Sequence, residues 1–226
     1  MSRDPSALPS NAAGDASSPP ARARLNYYSR RRMRAMARAV VGDTMLDVGC
    51  TAAPNPFLTG REVVGFDRDP MPVAPPYTEH VVGDVYAINR HLRGRMFHTL
   101  LLGDFIEHVE RPFDVLRMLH THVAPGGRLV LGTPNLLALP IVLAEYLNLR
   151  FYYTEAHTYT FSPRWMWRVI ERCGFERVAT KGCGIALPKG WWFPAPMILS
   201  CEVIFVASRI AESGAGADAS GAEASG

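Results

Sequence analysis

The sequence predicts an α/β protein whose sheet is doubly wound and mostly parallel. Five short apolar runs, each ending at or near a Gly or an Asp, occupy residues 44–49, 62–67, 80–84, 99–104 and 128–133. Runs that are apolar on both faces suit parallel strands covered by helices on each side. Between the fourth and fifth runs, residues 112–123 have the pattern of an amphipathic helix. Strands that alternate with helices in this way form a doubly wound sheet.

The two ends of the chain differ in composition from the middle. Residues 1–24 are rich in Ser, Ala, Pro and Asp, and residues 211–226 alternate Gly, Ala and Ser with a few acids. Such segments bury too little apolar surface to offset their ordering entropy, so a disordered arm and a disordered tail are predicted. Residues 25–210 remain, and their length is usual for a single domain.

Charge and cysteine usage narrow the class of protein. A net charge of +3 is too small to predict a nucleic-acid binder. The four cysteines include no C-x-x-C pair, which predicts buried thiols in a reduced, cytoplasmic protein. The apolar stretch 129–149 is interrupted by Pro134 and Pro140, so it is too short to span a membrane. A basic helix is predicted at 30–41, and its arginine face is either solvated or in contact with a membrane or RNA.

Three acidic residues lie at the ends of the first three predicted strands. They are Asp47, Asp67 and Asp84. Ligands of open α/β sheets bind at the carboxyl ends of the strands, so these carboxylates are candidate ligand-binding groups. Asp67 follows Asp47 by twenty residues, an interval at which a carboxylate on the second strand reaches ribose hydroxyls. Gly49 allows the backbone to approach a ligand closely.

These motifs together resemble one known family. Residues 46–50, Leu-Asp-Val-Gly-Cys, resemble the glycine-rich first motif of class I S-adenosylmethionine-dependent methyltransferases, and residues 64–67 and 83–84 resemble the second and third motifs. Residues 104–109 are similar to the stretch after the fourth strand in the small-molecule branch, types 11 and 12. Residues 125–129 and 133–135 match later landmarks. The similarity covers residues 45–175 and extends to O-methyltransferases of the ubiquinone-biosynthesis type.

The resemblance implies a fold and a cofactor. The fold is Rossmann-like, with seven strands that include a C-terminal antiparallel pair. The apolar runs near 177–180 and 199–207 are the candidates for this pair. The cofactor is S-adenosyl-L-methionine, with the second-motif acid, Asp67, on the ribose and the third-motif acid, Asp84, on the adenine amine. The cofactor-binding residues that the resemblance implies are Asp47, Gly49, Cys50, Thr51, Asp67, Arg68, Asp84, Val85, Gly103 and Asp104.

The first motif departs from the family pattern. Thr51 and Ala53 stand where the family usually has two further glycines, and a β-carbon makes positive φ costly. We therefore expect this loop to follow a different path. The departure leaves open an alternative, a non-catalytic methyltransferase-like protein that binds the cofactor weakly and acts on a partner.

Two other enzyme classes are disfavoured by their motifs. A nicotinamide dehydrogenase needs G-x-G-x-x-G after the first strand, and that pattern is absent. Residues 74–77 resemble the Asn/Asp-Pro-Pro-Tyr motif of methyltransferases that act on amino groups of nucleic acids or glutamine. They follow the second strand instead of the fourth, and Ala74 replaces the essential amide or acid. A proline-rich loop is therefore predicted, and a nucleic-acid acceptor is not expected.

Histidines near the predicted site are candidates for the reaction itself. An acceptor hydroxyl benefits from a general base with a pKa near neutrality. His108 is the first candidate, with Glu107 beside it, and His157 is the second; for either histidine, a structural hydrogen-bonding role is the alternative. Glu107, His108 and His122 share no clean ligand spacing, so no metal site is predicted.

The acceptor-facing part of the chain is predicted at 136–160. Residues 136–153 and 191–193 are apolar and aromatic, which suits either a lid over the acceptor or an ordinary core or dimer contact. The predicted function is transfer of a methyl group to a small or amphipathic metabolite at oxygen. N- or C-methylation stays open. The protein is expected to be cytoplasmic, with loose membrane association as a further expectation.

Overall fold

The computed structural model describes residues 27–148, 157–186 and 192–210. The predicted N-terminal arm and C-terminal tail, and part of the predicted insert at 136–160, lie outside the described residues. The α-helices in the described part of the chain are α1 (Tyr27–Ala37), α2 (Ile88–Leu92), α3 (Pro112–His120), α4 (Leu139–Tyr146) and α5 (Pro163–Arg172).

Seven of the described strands form one sheet, in the order β3-β2-β1-β4-β5-β9-β6. The first five strands pair in parallel, and β9 pairs antiparallel with both β5 and β6. This arrangement confirms the Rossmann-like sheet with an antiparallel C-terminal pair. The strands are β1 (Thr44–Val48), β2 (Glu62–Asp67), β3 (Glu79–Val82), β4 (Phe97–Gly103), β5 (Val123–Pro134), β6 (Phe175–Gly182), β7 (Ile185–Ala186), β8 (Trp192–Phe193) and β9 (Glu202–Arg209), of which β7 and β8 form a separate two-stranded pair.

The two faces of the sheet carry separate apolar cores. Side chains alternate between faces along a strand, so Leu46 and Leu100 pack with α2, α3 and α5, whereas Met45 and Leu101 pack with α1. All four strand residues are buried. Helices therefore cover both faces, as a doubly wound sheet requires, although α1 is the one described helix in the second core.

The connections at the β1–β2–β3 end are shorter than in a usual βαβ unit. Neither residues 49–61, which join β1 to β2, nor residues 68–78, which join β2 to β3, contain a helix. Residues of these loops, including Leu58 and Tyr77, are buried in the same core as α1. The glycine-containing loop after β1 therefore leads into an irregular segment instead of a helix N-terminus.

Local hydrogen bonds and backbone geometry set the ends of two helices in the second half of the chain. Ser162 caps α5 by accepting a hydrogen bond from the Trp165 N–H, and Gly174 follows the helix at φ 92°. The predicted helix at 112–123 ends earlier, at His120, because Val123 already pairs with Phe97 in the sheet.

Two further expectations concern cysteines and membranes. All four cysteines are buried, and none of them forms a disulfide with another. Among the described residues, no helix combines the length and the apolar character needed to cross a membrane.

Candidate active site

The candidate site lies at the edge of the sheet where the parallel strands end. The register places Gly65 beside Asp47, Val82 beside Asp67 and Gly132 beside Gly103, so β1 to β5 all end at this edge. Because β9 is antiparallel, it begins here, with Glu202 beside Pro134. Residues that are distant in sequence therefore meet at one edge.

Asp47 is buried beneath this edge rather than exposed on it. Its Oδ2 accepts a hydrogen bond from the Tyr77 hydroxyl, and the same hydroxyl oxygen accepts one from the Asn55 N–H at 2.9 Å. Burial raises the pKa of Asp47 to about 7, against the lowering effect of the Tyr77 hydrogen bond. Asp47 therefore holds the loop after β1 in place. The proline-rich loop 74–77 places Tyr77 against Asp47, a contact that the sequence did not predict.

Asp67 fastens the loop after β1 to the end of β2. Its Oδ2 accepts a hydrogen bond from the Thr51 N–H at 2.8 Å, and its Oδ1 accepts one from the Asp69 N–H at 3.2 Å. The Thr51 hydroxyl donates to the Asp69 carbonyl at 2.9 Å. A carboxylate has about four acceptor positions, so Asp67 keeps acceptor capacity for a ligand.

The conformation of this loop explains why it tolerates side chains in place of glycines. Gly49 has φ 77°, and a β-carbon there would lie 2.4 Å from Cδ2 of Phe105, so glycine is required. Thr51 and Ala53 are not among the described residues with positive φ. Within residues 49–53, the loop therefore follows a path on which only Gly49 has left-handed geometry.

The remaining predicted cofactor residues occupy different environments at this edge. Asp84 is exposed and accepts a hydrogen bond from the Tyr86 N–H through Oδ1. Arg68 is exposed, while Val85 and Gly103 are partly buried. Cys50 is buried, and burial raises the pKa of its thiol, which favours the protonated form.

A partly buried ion cluster joins three distant parts of the chain at the same edge. Arg32 of α1 pairs with Asp104, which follows β4, and with Glu202 of β9, whose Oε1 lies 3.4 Å from Arg32 Nη1. Polar atoms on all three remain buried without a hydrogen-bond partner: Arg32 Nε, Asp104 Oδ1 and Glu202 Oε2. Burial raises the pKa of Glu202, and the Arg32 charge opposes that rise. Uncompensated buried polar atoms mark a place where a ligand can supply the missing contacts.

Glu107, His108 and His157 come together beside this cluster. A carboxylate oxygen of Glu107 and one ring nitrogen of each histidine all lie within 4.8 Å of one another. The centroids of the two imidazole rings are 4.8 Å apart. The Glu107 carbonyl accepts hydrogen bonds from the Thr158 and Tyr159 N–H groups at 3.0 and 3.1 Å, which holds His157 near β4. Such a group can exchange protons with a bound acceptor or hold a divalent cation. The expectation of no metal site, which rested on sequence spacing, stays a prediction.

Burial shifts the pKa values of two members of this group. It raises the pKa of Glu107 to about 7, and one carboxylate oxygen, Oε1, has no hydrogen-bond partner. It lowers the pKa of His157, and the nearby His108 charge lowers it further. Near neutral pH, His157 is therefore largely neutral and Glu107 is close to half protonated. His122, in contrast, donates or accepts only structural hydrogen bonds, to Arg95 and Asn89.

The pKa of Glu107 predicts a stability change with a definite sign. A carboxyl whose folded pKa is raised favours folding when protonated, so its contribution is lost as pH rises from about 4.5 to about 7. We expect Glu107→Gln to stabilise the protein at pH 8 by on the order of 2 kcal/mol, or several degrees in Tm. At pH 5 the two proteins should melt alike. Glu110→Gln, an exposed neighbour, is the control. A Glu107→Gln variant that is less stable at both pH values would contradict this assignment.

A profile of the methyltransferase domain family matches residues 21–180. The chain belongs to this methyltransferase family. The match covers every strand from β1 to β5 and therefore all the predicted cofactor-binding residues at this edge, but not Glu202. The protein is an S-adenosylmethionine-dependent methyltransferase, as its motifs predicted.

Curated relatives of this methyltransferase share the same named activity. It is 28% identical over 214 residues to the ubiquinone biosynthesis O-methyltransferase of Ruegeria pomeroyi, covering 82% of this chain and 84% of that protein. It is 27% identical over 186 residues to the protein of the same name from Cereibacter sphaeroides, covering 74% of each.

Solved structures confirm the fold of this methyltransferase. A SAM-dependent methyltransferase from Archaeoglobus fulgidus matches with a TM-score of 0.61 and 16% identity, over 80% of this chain and 92% of that one. The N-methyltransferase NodS from Bradyrhizobium japonicum, in complex with S-adenosyl-L-homocysteine, matches with a TM-score of 0.59 and 14% identity, over 86% and 94%.

The residues at the sheet edge of this methyltransferase fit S-adenosylmethionine. The methionine part of the cofactor carries an ammonium and a carboxylate, and the edge offers buried atoms of both charges without partners, on Asp104 and Arg32. Asp67 offers acceptor capacity for the ribose. Arg32 and Glu202 were missed by the sequence analysis because nothing in their local sequence links them to the strand ends.

Proposed function

We propose that the protein transfers a methyl group from S-adenosylmethionine to an oxygen atom of a small, amphipathic acceptor. The observation that carries this proposal is the group formed by Glu107, His108 and His157 at the edge that also holds the candidate cofactor residues. A hydroxyl acceptor must lose a proton during transfer, and a neutral imidazole is suited to accept it.

The proposed cofactor site uses the residues at the ends of β1 to β4. Asp67 accepts hydrogen bonds from the ribose, and Asp84 binds the adenine amine. Asp104 and Arg32 bind the ammonium and carboxylate of the methionine part by charge-assisted hydrogen bonds. Gly49 and Gly103 provide backbone close to the ligand, while Cys50, Thr51, Arg68 and Val85 complete the surroundings.

The proposed chemistry needs little from the protein beyond alignment and one base. When bound, S-adenosylmethionine supplies an already activated methyl group, so holding the acceptor oxygen in line provides much of the rate. His157 takes the hydroxyl proton, because its lowered pKa keeps it neutral near pH 7. His108 lies against it, and Glu107 supports the segment that carries His157 through its backbone carbonyl.

The amphipathic character of the acceptor is supported by the segment that follows β5. Helix α4 begins at the site edge and buries Ile141 and Ala144, yet it exposes Leu139, Leu143 and Leu147. Leu147 is 66% exposed. Apolar side chains exposed together near a site favour an apolar part of a ligand. Two of the relatives named above are O-methyltransferases of ubiquinone biosynthesis, which is consistent with an aromatic hydroxyl attached to an apolar chain.

A paired acceptor assay tests the proposal. The full-length protein is incubated with methyl-labelled S-adenosylmethionine and with either an alkyl-substituted catechol or an aromatic amine that carries the same alkyl chain. We expect labelled ether product from the catechol, detected by mass spectrometry, and little product from the amine. Methylation of the amine alone would replace the proposal by N-methylation. No transfer to either acceptor class, in protein that binds S-adenosylhomocysteine, would contradict the proposed acceptor.

A further inference from the structure

A recess between α1 and residues 182–183 is lined by arginines. It has a volume of about 250 Å³, and its walls are Arg31, Arg34, Ala35, Arg38, Gly182 and Cys183, which we call the arginine recess. Arg31 and Arg34 lie on α1, and Arg38 follows its last residue and continues the turn by donating its N–H to the Arg34 carbonyl. Among the described residues, none of those that line the recess is acidic.

Two arginines of the recess, Arg34 and Arg38, differ from the described arginines that have acidic partners. Arg32, on the same helix, pairs with Asp104 and Glu202, and Arg95 pairs with Glu79. No described acid forms a salt bridge with Arg34 or Arg38. The guanidinium of Arg34 instead lies over the Phe57 ring, 4.7 Å from its centroid.

Like charges four residues apart on a helical turn repel one another, so the guanidiniums of Arg34 and Arg38 destabilise this segment, and an anion bound between them relieves the repulsion. Guanidinium groups bind phosphate oxygens with two parallel hydrogen bonds, which is why arginine clusters recognise phosphate. A recess of about 250 Å³ is below the roughly 300–1,000 Å³ of pockets that enclose whole metabolites. Its size suits a phosphate or diphosphate group that is part of a larger, mostly exposed molecule.

The recess also borders the active site without being part of it. Cys183 lies near Arg32 and Glu202, whose charges act on its thiol. Arg32 extends from the same helix to the ion cluster, whereas Arg31, Arg34 and Arg38 line the recess. Beyond Gly184, Ile185 packs with Ile141 of α4, the helix that exposes leucines. The arginine recess and the apolar helix α4 therefore lie on either side of residues 182–185.

From these observations we infer that the arginine recess binds a phosphate-class anion, either on a free phosphorylated molecule or on a lipid headgroup. This inference stands apart from the proposed methyl transfer, because none of the recess residues is assigned to the cofactor or the acceptor oxygen.

The test uses the full-length protein, the double variant Arg34→Gln/Arg38→Gln, and a matched control. Arg164→Gln/Arg168→Gln removes two exposed arginines at the same i, i+4 spacing from α5, on the other face of the sheet. Each protein is titrated calorimetrically with inorganic pyrophosphate, and its flotation with vesicles of phosphatidylglycerol and phosphatidylcholine is compared with vesicles of phosphatidylcholine alone. S-adenosylhomocysteine binding and Tm are measured for all three.

Two results support the inference and identify the source of the anion. Pyrophosphate binding that is at least about 10-fold weaker in the α1 variant, but not in the α5 control, indicates a phosphate ligand. Flotation with anionic vesicles alone, reduced in the α1 variant and not in the control, indicates a lipid headgroup. Binding of neither probe by the wild type, or equal losses in both variants, overturns it. S-adenosylhomocysteine binding is expected to be unchanged throughout, so failure here is distinguishable from failure of the proposed function.

Discussion

Asp67→Ala is expected to weaken S-adenosylhomocysteine binding by at least about 100-fold while the protein stays folded. In the proposed site this carboxylate accepts hydrogen bonds from the ribose, and hydrogen bonds to a charged group contribute roughly 1.5–3 kcal/mol each. Two such bonds amount to about two powers of ten in affinity. The variant also removes the acceptor that holds the Thr51 N–H, so the loop after β1 loses an anchor. Calorimetric titration, with circular dichroism to verify folding, measures the effect.

Two further substitutions separate ligand contact from loop anchoring. Asp67→Asn keeps an oxygen acceptor for the Thr51 N–H but loses the charge, so an intermediate loss of about 10-fold is expected. Asp69→Ala removes an exposed side chain two residues away. Asp69 contacts Thr51 and Asp67 through its backbone, so this change should alter affinity by no more than about twofold. Wild-type affinity in folded Asp67→Ala protein would remove Asp67 from the cofactor site.

His157→Ala is expected to lower kcat by about 100-fold or more, with S-adenosylhomocysteine affinity nearly unchanged. A general base contributes typically 10²–10⁴ in rate, and the imidazole lies in the group that faces the acceptor in the proposed site. In the wild type, kcat should fall as pH drops through the pKa of His157, which burial and the His108 charge lower. The acid limb of the profile should therefore lie below the ordinary histidine range.

His108→Ala is expected to shift the pH dependence of kcat, an effect that loss of a purely structural histidine would not produce. Removing the His108 charge removes one cause of the lowered pKa, so the pKa of His157 should rise and the acid limb of kcat should move to higher pH. His98→Ala is the matched control, because His98 hydrogen bonds to Thr44 at the opposite edge of the sheet. Undiminished kcat in His157→Ala, or an acid limb that does not move in His108→Ala, would contradict the assignment of the base.

The sequence was sufficient for the sheet because the sheet depends on local patterns. An apolar run such as 99–104 indicates a strand that is buried on both faces by helices. Ser162 and Gly174 define the two ends of α5 through a short-range hydrogen bond and a positive φ. The absence of a helix in residues 49–61 was not predicted. That loop is held by contacts to Tyr77 and Asp67, which lie beyond any local window.

The candidate site was predictable only in part, for the same reason. The acids at the strand ends were recognisable because parallel strands share an edge. Arg32 and Glu202 could not be recognised, because 170 positions separate them in the sequence. They meet only because β9 pairs antiparallel with β5. The assignment of Asp47 to the cofactor stays a prediction, and its buried hydrogen bond to Tyr77, thirty residues away, could not be inferred from the sequence. The Thr158 and Tyr159 N–H groups donate to the Glu107 carbonyl and so bring His157 close, and no sequence spacing reveals these bonds.

The most direct test of the proposed active site is a crystal structure of the full-length protein with S-adenosylhomocysteine. The proposed site predicts the ribose hydroxyls within hydrogen-bond distance of Asp67, the amino-acid part between Arg32 and Asp104, and the sulfur facing the side of His157. A ligand bound at another edge of the sheet, or bound here with Asp67 and Asp104 both out of contact, would contradict it.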